Sequence, residues 1–209
     1  LQGKPAAKSQ AAPAPMVLVP ASRVELEDSQ VILDDESKGF HTSINRLQGS
    51  LDTRALPLLA FTLSGRTEGK ERDDLSVAGE MDQRDDSLFS RLDLNNVPLA
   101  RYLNYFLPGK GLRFESGSAS LSVRLRRPAN GEIEASGRAE ITDGSLRIPG
   151  IAEPLTGLEG AVAFDPGTLH FRELRAHFLD SDWVATGAID DLTAPSFDVE
   201  MHNPMFPLQ

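Results

Sequence analysis

From residue 22 onward, apolar and polar residues alternate along the chain. Val24 and Leu26 alternate with Glu25 and Glu27, Phe61 and Leu63 flank Thr62, Leu75 and Val77 flank Ser76, and Leu92 and Leu94 flank Asp93. Leu121, Val123 and Leu125 alternate with Ser122 and Arg124, Val162 and Phe164 flank Ala163, and Phe197, Val199 and Met201 alternate with Asp198 and Glu200. An extended backbone points successive side chains to opposite sides, so each stretch predicts a strand with one apolar and one wet face. Asn130-Gly131, Asp143-Gly144 and Asp165-Pro166-Gly167 fall between such stretches and predict turns. Short strands joined in sequence by tight turns predict an all-β, antiparallel meander.

One stretch follows a different period. Between Pro98 and Leu107, the apolar residues are Leu99, Tyr102, Leu103, Phe106 and Leu107. These fall at the i, i+3, i+4, i+7 and i+8 positions of an amphipathic helix. Asn96 suits its cap, Pro98 its first turn, and Pro108-Gly109 its end. A single short helix in a meander is expected to plug or cover one end of the sheet. Residues 1–21 read as a linker, because Pro5, Pro13, Pro15 and Pro20 forbid a regular ladder.

Residues 22–209 then divide into about two units, 22–138 and 139–209. The Val24–Leu33 segment resembles Ala139–Ile148, Leu47-Gln-Gly49 resembles Leu158-Glu-Gly160, and Ala78-Gly79 resembles Thr186-Gly187. Leu92–Asn96 likewise resembles Val199–Asn203, and Pro98-Leu99 resembles Pro207-Leu208. The order is kept while the offset drifts, as loop insertions and deletions would make it. Repetition of this kind implies an elongated architecture extended by adding units.

Charge and composition narrow the function classes. The chain has 209 residues, 40% hydrophobic and 25% charged, with a formal net charge of −10. An acidic balance opposes binding to nucleic-acid phosphates and charge-driven docking on anionic membranes. There is no cysteine, so no disulfide framework is available. The apolar run Met16-Val17-Leu18-Val19 is far short of the roughly 20 residues of a membrane span. The chain opens on Leu1 without a signal peptide and reads as an excerpt of a longer protein, with membrane contact only through segments outside it.

Candidate chemistry is sparse. The acidic doublets Asp34-Asp35, Asp73-Asp74, Asp85-Asp86 and Asp190-Asp191 do not have the spacing of a calcium loop and are expected to be solvated turns. His170 and His177 could lie on neighbouring strands, but with His41 and His202 they offer no cysteine-supported zinc set. Asp180-Ser181-Asp182 reads as a tight turn before Trp183. No nucleophile elbow, dinucleotide fingerprint or phosphate loop occurs. Arg124, Arg126 and Arg127 form the one basic cluster; Arg124 and Arg126 fall opposite Leu121, Val123 and Leu125, on a face expected to be solvated and to guard against strand aggregation, with a lipid head-group site as the alternative. The expectation is a protein that is not an enzyme, with no catalytic residues, no metal and no cofactor.

The apolar strand faces are therefore the feature expected to carry function. Leu121, Val123, Leu125, Val162, Phe164, Leu169 and Phe171 each belong to the apolar set of their strand. These sets either pack together as a closed core or line a groove for acyl chains, and burial favours both at about 25 cal/mol per Å².

The strand grammar resembles that of the AsmA-like superfamily of bacterial envelope proteins, which includes TamB and its relatives. The stretches that carry it are Leu158–Phe164, Gly167–Phe171, Leu174–Phe178, Trp183–Ile189 and Phe197–Met201, with the Val97–Leu103 helix start and the Gly117–Leu121 strand. The resemblance implies a long, twisted sheet curled into an apolar groove, within a periplasmic protein anchored in the inner membrane. It implies shielding or conduction of phospholipid between the inner and outer membranes, or support of outer-membrane assembly, with other envelope proteins as partners. The alternative is a structural or interaction module of the envelope with a closed β-core and no lipid role.

Overall fold

The computed structural model of the chain describes residues 22–37, 39–70, 74–106, 113–190 and 196–203. Eleven strands and one helix follow in order: β1 (Arg23–Asp35), β2 (Phe40–Asp52), β3 (Leu58–Thr67), β4 (Leu75–Asp82), β5 (Ser87–Pro98), α1 (Leu99–Phe106), β6 (Arg113–Arg127), β7 (Glu134–Arg147), β8 (Leu155–Asp165), β9 (Thr168–Phe178), β10 (Ser181–Asp190) and β11 (Ser196–His202). They form a single sheet in which each strand pairs antiparallel with its sequence neighbours. The sheet is open, with β1 and β11 as its edges. A closed sandwich or barrel core therefore does not describe this chain. The expected linker at residues 1–21, the helix stop at Pro108-Gly109 and the Pro207-Leu208 match lie outside the described residues.

The sheet curls around its helix. Leu99, at 1% exposure, belongs to a cluster with Ala119, Ile141, Leu158, Val162 and Phe171, which spans β6 to β9. Three residues further on, the Tyr102 ring lies edge-on to Phe40 of β2, centroid to centroid 6.0 Å, and its hydroxyl is 3.0 Å from Thr42 Oγ1. Asn104 pairs with the backbone of Phe114 in β6 through two 2.9 Å hydrogen bonds, donating from Nδ2 and accepting at Oδ1. Four strand spacings separate β2 from β6, about 19 Å in a flat sheet. One short helix can touch both strands only if the apolar face is concave there.

Glycines on the concave face allow the curvature. At Gly137, a Cβ would lie 2.9 Å from Cζ of Phe164, its cross-strand partner, and at Gly79 a Cβ would lie 2.7 Å from Cζ of Phe61. In both places an aromatic ring lies across a neighbouring glycine, which lets strands approach without a gap.

The structure corrects several expectations. The helix begins at Leu99 rather than at Pro98, because Pro98 closes β5; its expected last residue, Leu107, lies outside the described residues. Asn96 is two residues too early to cap it. It instead takes φ 52° at a break in the β5–β6 register. Asp143-Gly144 is not a turn but a bulge inside β7, with Asp143 at φ 50°. The hairpin before β10 turns at Leu179-Asp180, both at positive φ, so Ser181 and Asp182 are already strand.

The acidic doublets also divide. Asp34-Asp35 ends β1, and Asp85 accepts the Ser87 N–H in a turn at 3.0 Å. Asp74 is buried at 6% exposure, where its carboxylate accepts the Thr67 N–H at 2.6 Å and the Thr67 hydroxyl, while its carbonyl accepts Asn95 N–H. It ties the ends of β3, β4 and β5 together rather than facing water. Asp190 ends β10, and Asp73 and Asp191 lie outside the described residues.

Candidate functional site

Directly opposed residues in an antiparallel ladder share a face, so the register assigns the two faces strand by strand. On one face, Leu63, Val77, Leu92 and Val123 follow one another across β3, β4, β5 and β6. The row continues through Gly137 and Phe164 to Leu169 and Ile189. The seven residues singled out from the sequence all fall on this face: Leu121 opposes Ala139, which opposes Val162, which opposes Phe171, while Phe164 opposes Leu169. They are not equally covered. Val123, Val162 and Phe171 are buried, whereas Leu121, Leu125, Phe164 and Leu169 are half-buried. Val162 and Phe171 belong to the cluster beneath the helix, so they are core as much as lining.

Sequence reasoning did not single out the first half of the same surface. Leu51, Phe61, Leu63, Val77, Met81 and Leu92 are half-buried on the same face. Their alternation was visible, but which strands the helix covers was not. Trp183, opposite Ala176, also lies on this side, and its indole N–H has no hydrogen-bond partner among the described residues. A buried donor left without a partner is uncommon and marks a place where an acceptor would be favoured.

The opposite face is polar and locally neutralised. Asp52 takes a bidentate contact from Arg54 Nε and Nη2, and its carboxyl is held down to about 2 by that hydrogen bond. Asp82 is lowered to about 2 by Arg84 in the same way. Arg91 bonds Asp93 at 2.8 Å, lowering that carboxyl also. A cleft of about 630 Å³ lies on this side, with Arg23, Asp52, Thr62, Phe89 and Arg91 among its lining. Three of its charged lining residues are already paired, Arg23 with Glu25, Asp52 with Arg54 and Arg91 with Asp93, and Glu80 lines it as well. Arg124 and Arg126 are exposed here, Arg124 opposite Arg91, while Arg127 falls on the apolar side at the strand end and donates to the Asp86 carbonyl.

The histidines do not assemble. His170 and His177 lie seven positions apart on one strand, β9, not on neighbouring strands as expected. His177 Nδ1 is 3.0 Å from Asp182 Oδ1, and His41 Nδ1 is 3.8 Å from Asp34 Oδ2. Among the described residues no three His, Cys, Asp or Glu side chains converge, and no helix is long and apolar enough to cross a membrane. No protein-family model, curated protein or solved structure matches this chain.

Proposed function

We propose that this chain is a segment of a cell-envelope scaffold whose concave apolar face shields or conducts phospholipid acyl chains. The observation that carries the reading is one apolar face running across all eleven strands of an open sheet, with a helix covering only one end. Leaving Leu63, Val77, Leu92, Leu125 and Phe164 half-covered forgoes burial energy of about 25 cal/mol per Å². An acyl chain recovers it with the same chemistry as a protein side chain. The unpartnered indole of Trp183 suits the ester oxygens at the polar end of such a ligand. The resemblance to the AsmA-like superfamily supports the same reading. It adds the periplasm as the compartment, an inner-membrane anchor in the parent protein, and a role in lipid movement or outer-membrane assembly.

Native mass spectrometry of the protein purified from bacterial membranes, followed by lipid extraction, tests this. The expected result is co-purifying phospholipid that is lost on substituting Phe164→Asp with the fold retained. A folded, lipid-free protein would contradict the proposal.

A further inference from the structure

The outer edge of β1 carries a feature independent of any lipid. The β1–β2 and β7–β8 hairpins break register in the same way. In the first, Leu26 opposes Gly49, Ser29 opposes Leu47, and Val31 opposes Ile44. In the second, Ile141 opposes Gly160, Gly144 opposes Leu158, and Leu146 opposes Leu155. The left-handed residues correspond as well: Asp28 at φ 45° matches Asp143 at 50°, and Arg46 at 51° matches Gly157 at 57°. β7 is thus a template for β1, and the edge of β7 that corresponds to the free edge of β1 is covered by β6.

The template shows what such a strand must be. β6 sets Ala119 against Ile141 and Leu121 against Ala139, with serines between. Its Gly117, at φ 99°, crosses the β7 bulge so closely that a Cβ would lie 2.8 Å from the Asp143 carbonyl. With no outer partner among the described residues, Val24, Leu26 and Val31 of β1 are 49%, 39% and 45% exposed. β1 is itself acidic, with Glu25, Glu27, Asp28, Asp34 and Asp35 against Arg23. The other free edge, β11, is acidic through Asp198 and Glu200, which disfavours a second copy joined edge to edge.

We propose that the edge of β1, unpaired among the described residues, binds, antiparallel, an amphipathic β-strand of the β6 kind. That strand has apolar residues at alternate positions, small residues between them, and a glycine where it crosses the Asp28-Ser29 bulge. Backbone pairing supplies the affinity, and the glycine and alternate pockets supply the selectivity.

The probe is a labelled peptide with the sequence of residues 113–127, titrated into the intact protein and followed by fluorescence anisotropy and hydrogen exchange. The expected result is saturable one-to-one binding that slows exchange of β1 amides at least tenfold. A Gly117→Val peptide is expected to bind at least tenfold more weakly. Protein carrying Leu26→Glu, an exposed position that leaves the fold intact, is expected to do the same. Absence of binding, equal binding of the Gly117→Val peptide, or protection confined to β11 would each overturn the proposal.

Discussion

The β1–β2 and β7–β8 hairpins carry the same pair of register breaks in two environments. Leu26 and Ile141 stand at matching points before matching bulges, yet Leu26 is 39% exposed and Ile141 9%. The inner strands do not differ in this way, since Leu47 and Leu158 are 7% and 4% exposed. Local sequence and backbone conformation therefore do not decide what is buried in this sheet. Neighbouring strands and the helix do: β7 has β6 beside it and Leu99 in its cluster, while among the described residues β1 pairs with β2 alone.

The largest expected effect separates the two hairpins. Ile141→Asp puts an unpaired charge into the cluster beneath the helix and should cost about 3–5 kcal/mol. Leu26→Asp, in the matching place on the edge, should change stability by less than about 0.5 kcal/mol. Urea denaturation with circular dichroism compares the two, and equal losses would break the comparison. A smaller effect should unite them: Leu47→Ala and Leu158→Ala both empty a buried site and should each cost about 2–4 kcal/mol. A silent Leu47→Ala would mean that the first hairpin does not pack as the second does.

The smallest effect is electrostatic. Asp52 and Asp82 ionise well below the ordinary carboxylate because Arg54 and Arg84 hydrogen-bond their anions. A lowered native pKa means that the contribution of each pair is present above the unfolded value of 3.8. It is lost as pH falls through about 2. Both pairs are solvent-exposed and screened, so their weight in stability is small. Arg54→Gln should return the Asp52 midpoint, read by carbon-detected NMR titration, towards the ordinary range, leaving Asp82 and the melting temperature unchanged.

Strand by strand, the fold was legible because alternation has a period of two and nothing in the chain contradicts it. The Val24–Leu33 and Ala139–Ile148 segments were aligned from sequence at the offset that the two bulges share. In β11 the pairing differs from that alignment: opposite β10, Met201 rather than Val199 stands where Leu92 stands opposite β4. A two-residue slip keeps every side chain on its face, so the alternation cannot register it.

Asp143-Gly144 was read as a turn because turns and bulges ask for the same left-handed residues, and only the ladder on both sides tells them apart. His170 and His177 were separated because a strand of eleven residues exceeds the usual five or six. The burial of Asp74 depends on three strands ending together, which no local pattern reports. The apolar lining was legible as a set. Its division into covered and half-covered halves was not, because the curl depends on Tyr102 reaching Phe40 across the sheet.

The account rests on the half-covered apolar face being open to acyl chains. Leu125 lies on that face and Arg124, its neighbour in β6, lies exposed on the other. A photoreactive phenylalanine placed at each position in turn, irradiated in bacterial membranes and analysed by mass spectrometry, tests it most directly. The account predicts phospholipid adducts at position 125 and none at position 124. A folded protein with no adduct at position 125, or with equal adducts at both, would contradict it.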